Sequence, residues 1–382
     1  MDNTKNNKND IMKLDVVVVG AGPAGLGISA MLVDLGIKRM AIFEKGKVGE
    51  SFNKWPEEMR LITPSFTTNF YGQIDLNSVV SGTSPAYSLR TEHPTGKEYA
   101  YYLKSIAQLL SLPVIEQTKI KELIYSDGLF TIEIDDGVMV ETENVIWAAG
   151  EYQYPQKRVF TGSHLCLHNS KIKTWDKVIG DEFYIIGAYE SGIDAAIHLS
   201  RLGKKVCVLD EVARWNEKTT DPSLSLSPYT LDRLRTEMVH GRIELIDNSR
   251  VQRVKKSEGQ YEITVMNKEI PFLCKTRPIL ATGFESSLSL ISEFFNWHEE
   301  ESYALLNEND ESTKTPGLFL VGPQVRHDNL IFCFIYKYRQ RFGVVANAVG
   351  RRLGFDTSDL EKYRGEGLYL DDLSCCGAEC EC

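Results

Sequence analysis

The stretch "DVVVVGAGPAGLGISAMLVDLGIKRMAIFEKG", residues 15–46, decides the fold. Its apolar run Val16–Val19 reads as a buried parallel strand. Gly20, Gly22 and Gly25 follow at G-x-G-x-x-G spacing, and a helical period runs from residue 23 to about 35. A second apolar run, Met40–Phe43, ends in Glu44. Each part has a mechanical reason. The first glycine permits a tight turn, the second lets backbone approach a pyrophosphate, and the third lets helix pack on strand. The helix N-terminus then faces phosphate, and the acid can accept from a ribose hydroxyl.

The pattern occurs twice. "EFYIIGAYESGIDAAIHLSRLGKKVCVLDE", residues 182–211, repeats strand, glycine turn, helix and strand. Gly187 and Gly192 hold the first and third glycine positions, and Tyr189 replaces the middle one. A side chain therefore stands where a pyrophosphate would approach. Asp210 ends the second strand, where an acid favours a free ribose 2′-hydroxyl over a 2′-phosphate; Arg214 nearby blurs that preference. Two such units predict an α/β fold with two Rossmann-like domains. The natural pairing is FAD on the first and a nicotinamide, NADPH or NADH, on the second.

The bulk properties narrow the class. The chain has 382 residues, 42% apolar and 25% charged, with a formal charge of −10. The acidic balance argues against a nucleic-acid surface. No run is apolar and long enough to span a bilayer, and the polar opening lacks a signal-peptide core, so a cytoplasmic protein is expected. No H-E-x-x-H or G-x-S-x-G occurs, as suits hydride transfer between stacked rings.

Beyond those two units the sequence resembles the two-dinucleotide flavoproteins, and among them the bacterial CzcO-type group related to flavin-containing monooxygenases. The likeness covers about residues 14–382 and is carried by several motifs. They include "VVVGAGPAGLG" (17–27), "FEKGKVGESFNKWP" (43–56), "RLITPSF" (60–66) and "GAYESGIDAA" (187–196). "DPSLSLSPYT" (221–230), "ILATGF" (279–284) and "LFLVGPQVRHDNLIFCFIYKYRQRFG" (318–343) extend it. The resemblance implies non-covalent FAD, NAD(P)H as reductant, a small-molecule substrate, and a hydride passed to flavin N5 and onward to oxygen and substrate. It also implies a homodimer. By motif, Gly20, Gly22, Pro23, Ala24 and Gly25 would cradle the FAD pyrophosphate, and Glu44 and Lys45 would meet the adenosine. Gly49, Glu50, Ser51, Phe52, Trp55, Thr63 and Ser65 would approach the ribityl chain and flavin. Gly150 ends a crossing strand, and Gly322 and Pro323 would close over the flavin. Gly187, Glu190, Ser191, Gly192 and Asp210 would serve the nicotinamide nucleotide. A helix from about residue 330 to 349 would point its N-terminus at the flavin ring. Of the monooxygenase fingerprint F-x-G-x-x-x-H, Phe160 and Gly162 fit, but the histidines fall off register, at His164 and His168.

The domain plan has an FAD domain at 12–150 and 284–366, an NAD(P) domain at 151–283 inserted in it, and a tail at 367–382. "EYQYPQ" after Gly150 and "GFESS" after Thr282 read as the crossing segments, and two alternating stretches read as hairpins. The acidic stretch 298–317 reads as solvated surface, and so do Lys337, Arg339 and Arg341, with contact to an acidic substrate as their alternative. His327 lies in the segment expected beside the flavin. Four of eight cysteines, Cys375, Cys376, Cys380 and Cys382, sit in the last eight residues. Their thiolates suit Zn(II) or Cu(I), or a redox relay to a thiol protein, or an inert end; these readings stay open. Three function classes follow: a monooxygenase-like flavoenzyme, a flavin-linked thiol or disulfide reductase using the tail, and a metal-binding protein on a flavoprotein scaffold.

Overall fold

The computed structural model describes residues 11–67, 72–217, 223–266 and 268–374. The four tail cysteines, and the readings attached to them, lie outside these residues.

Two parallel five-stranded sheets organise the molecule. The first runs in the order 318–320, 145–147, 16–19, 40–43, 114–115. The second runs 167–168, 279–280, 182–186, 205–209, 243–246. The topologies match over four strands; the fifth, at the edge, comes last in the chain in the first sheet (318–320) and first in the second (167–168). In each, the strand before the glycine turn is central, the strand ending in an acid lies on one side, and a strand returning from far along the chain lies on the other. Register is explicit: Val19 faces Phe43 and Trp147, and Ile186 faces Leu209 and Leu280. Buried on both faces, these strands are near-continuous aliphatic runs, which is why the sequence exposes them.

Helices cover the sheets. Pro23–Asp34 and Glu190–Arg201 follow the two glycine turns, and each has twelve residues. The two alternating stretches are three-stranded antiparallel sheets. One is Ile120–Ser126, Leu129–Ile134 and Met139–Thr142, edged by Met12–Leu14; the other is Val251–Ser257, Gln260–Val265 and Phe272–Cys274. Each first hairpin turns on two positive-φ residues, Asp127–Gly128 and Glu258–Gly259, the backbone of a tight primed turn. The crossing segments pair with each other: Glu285 N donates to Tyr154 O at 2.7 Å and Gln156 N to Gly283 O at 3.0 Å.

Three expectations change. The helix expected from residue 330 begins instead at Ile335–Tyr338, passes a 3-10 turn at Arg339–Arg341, and continues as Phe342–Arg352. A two-stranded hairpin, Arg326–His327 with Leu330–Ile331, takes its predicted first turn. Secondly, Lys337, Arg339 and Arg341 are buried rather than solvated. Arg339 donates to the carbonyls of Ile74, Asp75 and Ser78. Arg341 grips the fully buried Asp310 and donates to Leu370 O at 2.6 Å and Glu308 O at 2.6 Å. Thirdly, the acidic stretch is therefore not all surface, because Asp310 also meets His327 Nε2 at 2.5 Å. His327 is part of this buried ion cluster and is absent from the cavity described below.

Candidate active site

The two glycine turns share one geometry. Gly20 has φ +104° and Gly187 φ +101°, and an added Cβ would lie 3.0 Å from the carbonyl carbon of Ala148 or Ala281 respectively. Side chains are excluded there on both counts. The segments "WAAG" (147–150) and "LATG" (280–283) are thus the walls against which the turns are pressed. Beneath each turn, a Cβ on Gly25 would collide with the Gly20 carbonyl, and one on Gly192 with the Gly187 carbonyl. These third glycines let helix meet strand and do not line the cavity.

The acids close the same frame. Glu44 accepts from Ala21 N at 2.8 Å and Gly46 N at 2.7 Å. Asp210 accepts from Ala188 N at 2.7 Å, Val212 N at 2.9 Å and Ala213 N at 3.2 Å. Each carboxylate therefore fixes its glycine turn. Burial raises the Glu44 pKa despite the two backbone donors. Glu44 lines the cavity; Asp210 does not.

One cavity of about 680 Å³ runs from the first turn to the second. Gly20, Gly22, Pro23 and Ala24 line one end, with Glu44 and Lys45 beside them. Gly49, Glu50, Ser51, Phe52, Trp55 and Thr63 form a wall. Gly150 comes from the crossing region, Pro323 from the segment after the edge strand Leu318–Leu320, and Tyr189, Glu190 and Ser191 from the second turn. The remaining expected residues sit behind this surface. Ser65 is buried and its hydroxyl accepts from Asn77 Nδ2 at 2.8 Å. Gly322 backs Pro323 at φ +116°, against Ala24. Gly187 lies under Tyr189.

Glu151, Asp194 and Cys333 line the cavity and went unread in the sequence. Glu151 accepts from Gln324 Nε2 at 2.5 Å, and burial raises its pKa. Asp194 is held by Arg233 at 2.7 Å and His198 at 3.4 Å; burial opposes its charge, but these partners leave its pKa lowered. Spacing offered a signal here: Asp194 and His198 lie four apart on one helix face. Glu190 caps the helix Pro228–Met238 through Ser227 N and Thr230 Oγ1, and burial raises its pKa. Cys333, Phe334 and Tyr338 enter from the segment read as one long helix.

His168, off the fingerprint's register, is buried outside the cavity. Its Nε2 lies 3.0 Å from Gly283 O, and burial lowers its pKa to about 4. Cys166, Cys207 and Cys274 are free thiols in the core, and burial pushes each up to about 12. Among the described residues no cluster of His, Cys, Asp or Glu could hold a metal ion, and no helix is long and apolar enough to cross a membrane.

The first turn fits a dinucleotide. A Cβ placed on Gly22 would meet nothing within 4 Å, so the backbone is bare toward the cavity. The helix behind it, Pro23–Asp34, has Gly22 as N-cap and no side-chain cap, leaving its first N–H groups for a ligand. The volume lies within the usual range of cofactor sites, about 300–1,000 Å³.

Comparison with known proteins agrees with this geometry. The profile of the pyridine nucleotide-disulphide oxidoreductase family matches residues 17–322. Bacilliredoxin reductase Bdr of Bacillus subtilis is 22% identical over 342 residues, 88% of this chain and 97% of that one. An uncharacterized CzcO-like oxidoreductase of Geobacillus kaustophilus is 26% identical over 191 residues, 49% of this chain and 51% of its own. In fold, a flavin-containing monooxygenase from Stenotrophomonas maltophilia aligns with TM-score 0.69 at 16% identity, over 90% of this chain and 100% of that one.

Proposed function

The chain belongs to the pyridine nucleotide-disulphide oxidoreductase family, and from that premise we propose an FAD- and NAD(P)H-dependent enzyme of monooxygenase-like type. At the coarser level it is a flavin-dependent pyridine nucleotide oxidoreductase. One observation carries the finer reading: a single cavity touches both glycine turns, so two coenzymes can meet inside it. FAD held at the first turn would supply two electrons, taken as hydride from a nicotinamide nucleotide at the second, to reduce oxygen, of which one atom would go to a small organic substrate and the other to water.

The chain's own residues do the rest. The first-turn N–H groups and the helix dipole hold phosphate charge. Phe52, Trp55 and Tyr338 keep the middle of the cavity apolar, and Phe52 packs at 4.9 Å from Trp55. Glu151, with its raised pKa, holds a proton more readily than an exposed carboxyl does. Among the described residues Cys333 is the one cysteine that lines the cavity, whereas an internal redox disulfide needs two.

A second reading, reduction of a disulfide substrate, is favoured by the near full-length likeness to bacilliredoxin reductase. Purified chain separates the two. NAD(P)H oxidation that yields hydrogen peroxide or oxygenated product, unchanged when all four tail cysteines become Ser, supports the monooxygenase-type reading. Disulfide reduction lost in that variant, with no oxygen consumed, overturns it. A homodimer and a cytoplasmic location are part of the same proposal.

A further inference from the structure

Resting on the nicotinamide reading of the second turn, we propose that Tyr189 and Arg214 form a gate over that turn which a pyridine dinucleotide must open. The two turns supply their own comparison. Gly22 has φ −85° and ψ −172°; Tyr189 has φ −87° and ψ −169°. Both are N-caps of twelve-residue helices, and neither makes a side-chain cap bond. Extended backbone of this kind suits any residue, so glycine is not needed at this position for conformation. What differs is the space above. Over Gly22 it is empty to 4 Å. The same backbone direction at Tyr189 sends a phenol ring into the corresponding space, and the ring lines the cavity.

Arg214 holds that ring. Its guanidinium carbon lies 5.2 Å from the Tyr189 ring centroid, within cation–π range, and its Nη1 donates to Leu224 O at 3.1 Å. The loop is folded to deliver it. Asp210 accepts from Val212 N and Ala213 N, Ala213 takes φ +56°, and a 3-10 turn starts at Arg214. The acid of the second unit thus anchors its turn and aims a cation over it.

A pyrophosphate reaching this helix N-terminus has to displace the ring. As it does, the guanidinium exchanges an aromatic face for phosphate oxygens, which its planar fork matches in geometry and charge. Tyr189 therefore weakens dinucleotide binding, and Arg214 strengthens it once the ring has moved. A cation–π stack is worth about two- to thirty-fold in an equilibrium constant.

The test is nicotinamide nucleotide affinity in the flavin-loaded enzyme, measured with NADH and NADPH by equilibrium titration. Tyr189→Gly tightens binding about tenfold, and Tyr189→Ala, which keeps an ordinary backbone, moves the same way. In the Tyr189→Gly background no ring remains to hold, so adding Arg214→Gln isolates the phosphate contact and loosens binding about tenfold. Unchanged or weaker binding in both Tyr189 variants, against a wild type that binds, overturns the gate and leaves the nicotinamide reading standing. A double variant equal to the single one overturns the role of Arg214. Failure of every chain to bind either nucleotide overturns the gate together with the reading beneath it.

Discussion

Alanine at Gly25 and alanine at Gly192 are one perturbation applied to two sites. At either position the new Cβ collides with a carbonyl oxygen of its own turn and lies 3.0 Å from that carbonyl's carbon. Ordinary carbon contacts are about 3.5–4.0 Å, so the turn must retreat by on the order of 1 Å. The obstacle is backbone and cannot swing aside as a side chain would. Overpacking of this kind costs about 1–3 kcal/mol, and a shift of about 1 Å falls where phosphate is to be held. If that cost falls on nucleotide binding, affinity drops about 5- to 150-fold. The sheets are separate, so the consequences separate too. Gly25→Ala should purify with little flavin, read as visible absorbance per chain. Gly192→Ala should keep its flavin and raise the KM for NAD(P)H by that factor. The reasoning is refuted if Gly192→Ala loses flavin as Gly25→Ala does, or if Gly25→Ala purifies fully loaded.

Other expectations follow from buried groups. The unfolded His168 ring protonates near the usual value of about 6.5, the folded one only near 4. Protons therefore favour the unfolded chain between those values: stability is full above the upper one and falls as pH drops toward the lower. His168→Gln should flatten that acid limb in melting curves taken from pH 7 to 4, and an unaltered limb would contradict the assignment. Arg341→Met leaves Asp310 buried with only His327 at its side, and should cost about 3–5 kcal/mol in urea unfolding. Adding Asp310→Asn should recover part of the loss; a single-variant loss below about 1 kcal/mol would be inconsistent with the ion cluster. Thiols held near 12 have a thiolate fraction of about one in ten thousand at pH 8. In a chain with its four tail cysteines changed to Ser, peptide mapping after brief alkylation should find label at Cys333 and not at Cys166, Cys207 or Cys274. Rapid label at Cys207 would count against the burial argument.

The glycine turns were legible because strand, turn, helix and acid are contiguous, and each constraint acts within about thirty residues. Even so, only part of each constraint was local. Sequence spacing called for glycine at 20 and 187, but the walls they avoid, Ala148 and Ala281, come from about a hundred residues away. The segment after residue 330 misled because LIFCFIYKYRQRFGVVANAV keeps a helical apolar period throughout. Nothing local reveals that Arg339 will reach the carbonyls of residues 74–78, or that Arg341 will reach Asp310. Long-range pairing of a buried cation turned an apparent surface charge into a core residue. The same blindness hid Glu151 and Cys333, which join the cavity only once both sheets exist.

The interleaving of the sheets also sets a timetable for synthesis. The second sheet has all its strands once residue 280 has left the ribosome, whereas the first still lacks its edge strand at Leu318–Leu320. Because domains fold as units while the nascent chain emerges, the inner body can close while its surroundings wait. During that interval Val145–Trp147 has one flank without its neighbour. A pause or truncation between residues 280 and 318 would release a chain with one finished lobe and one open, aggregation-prone sheet.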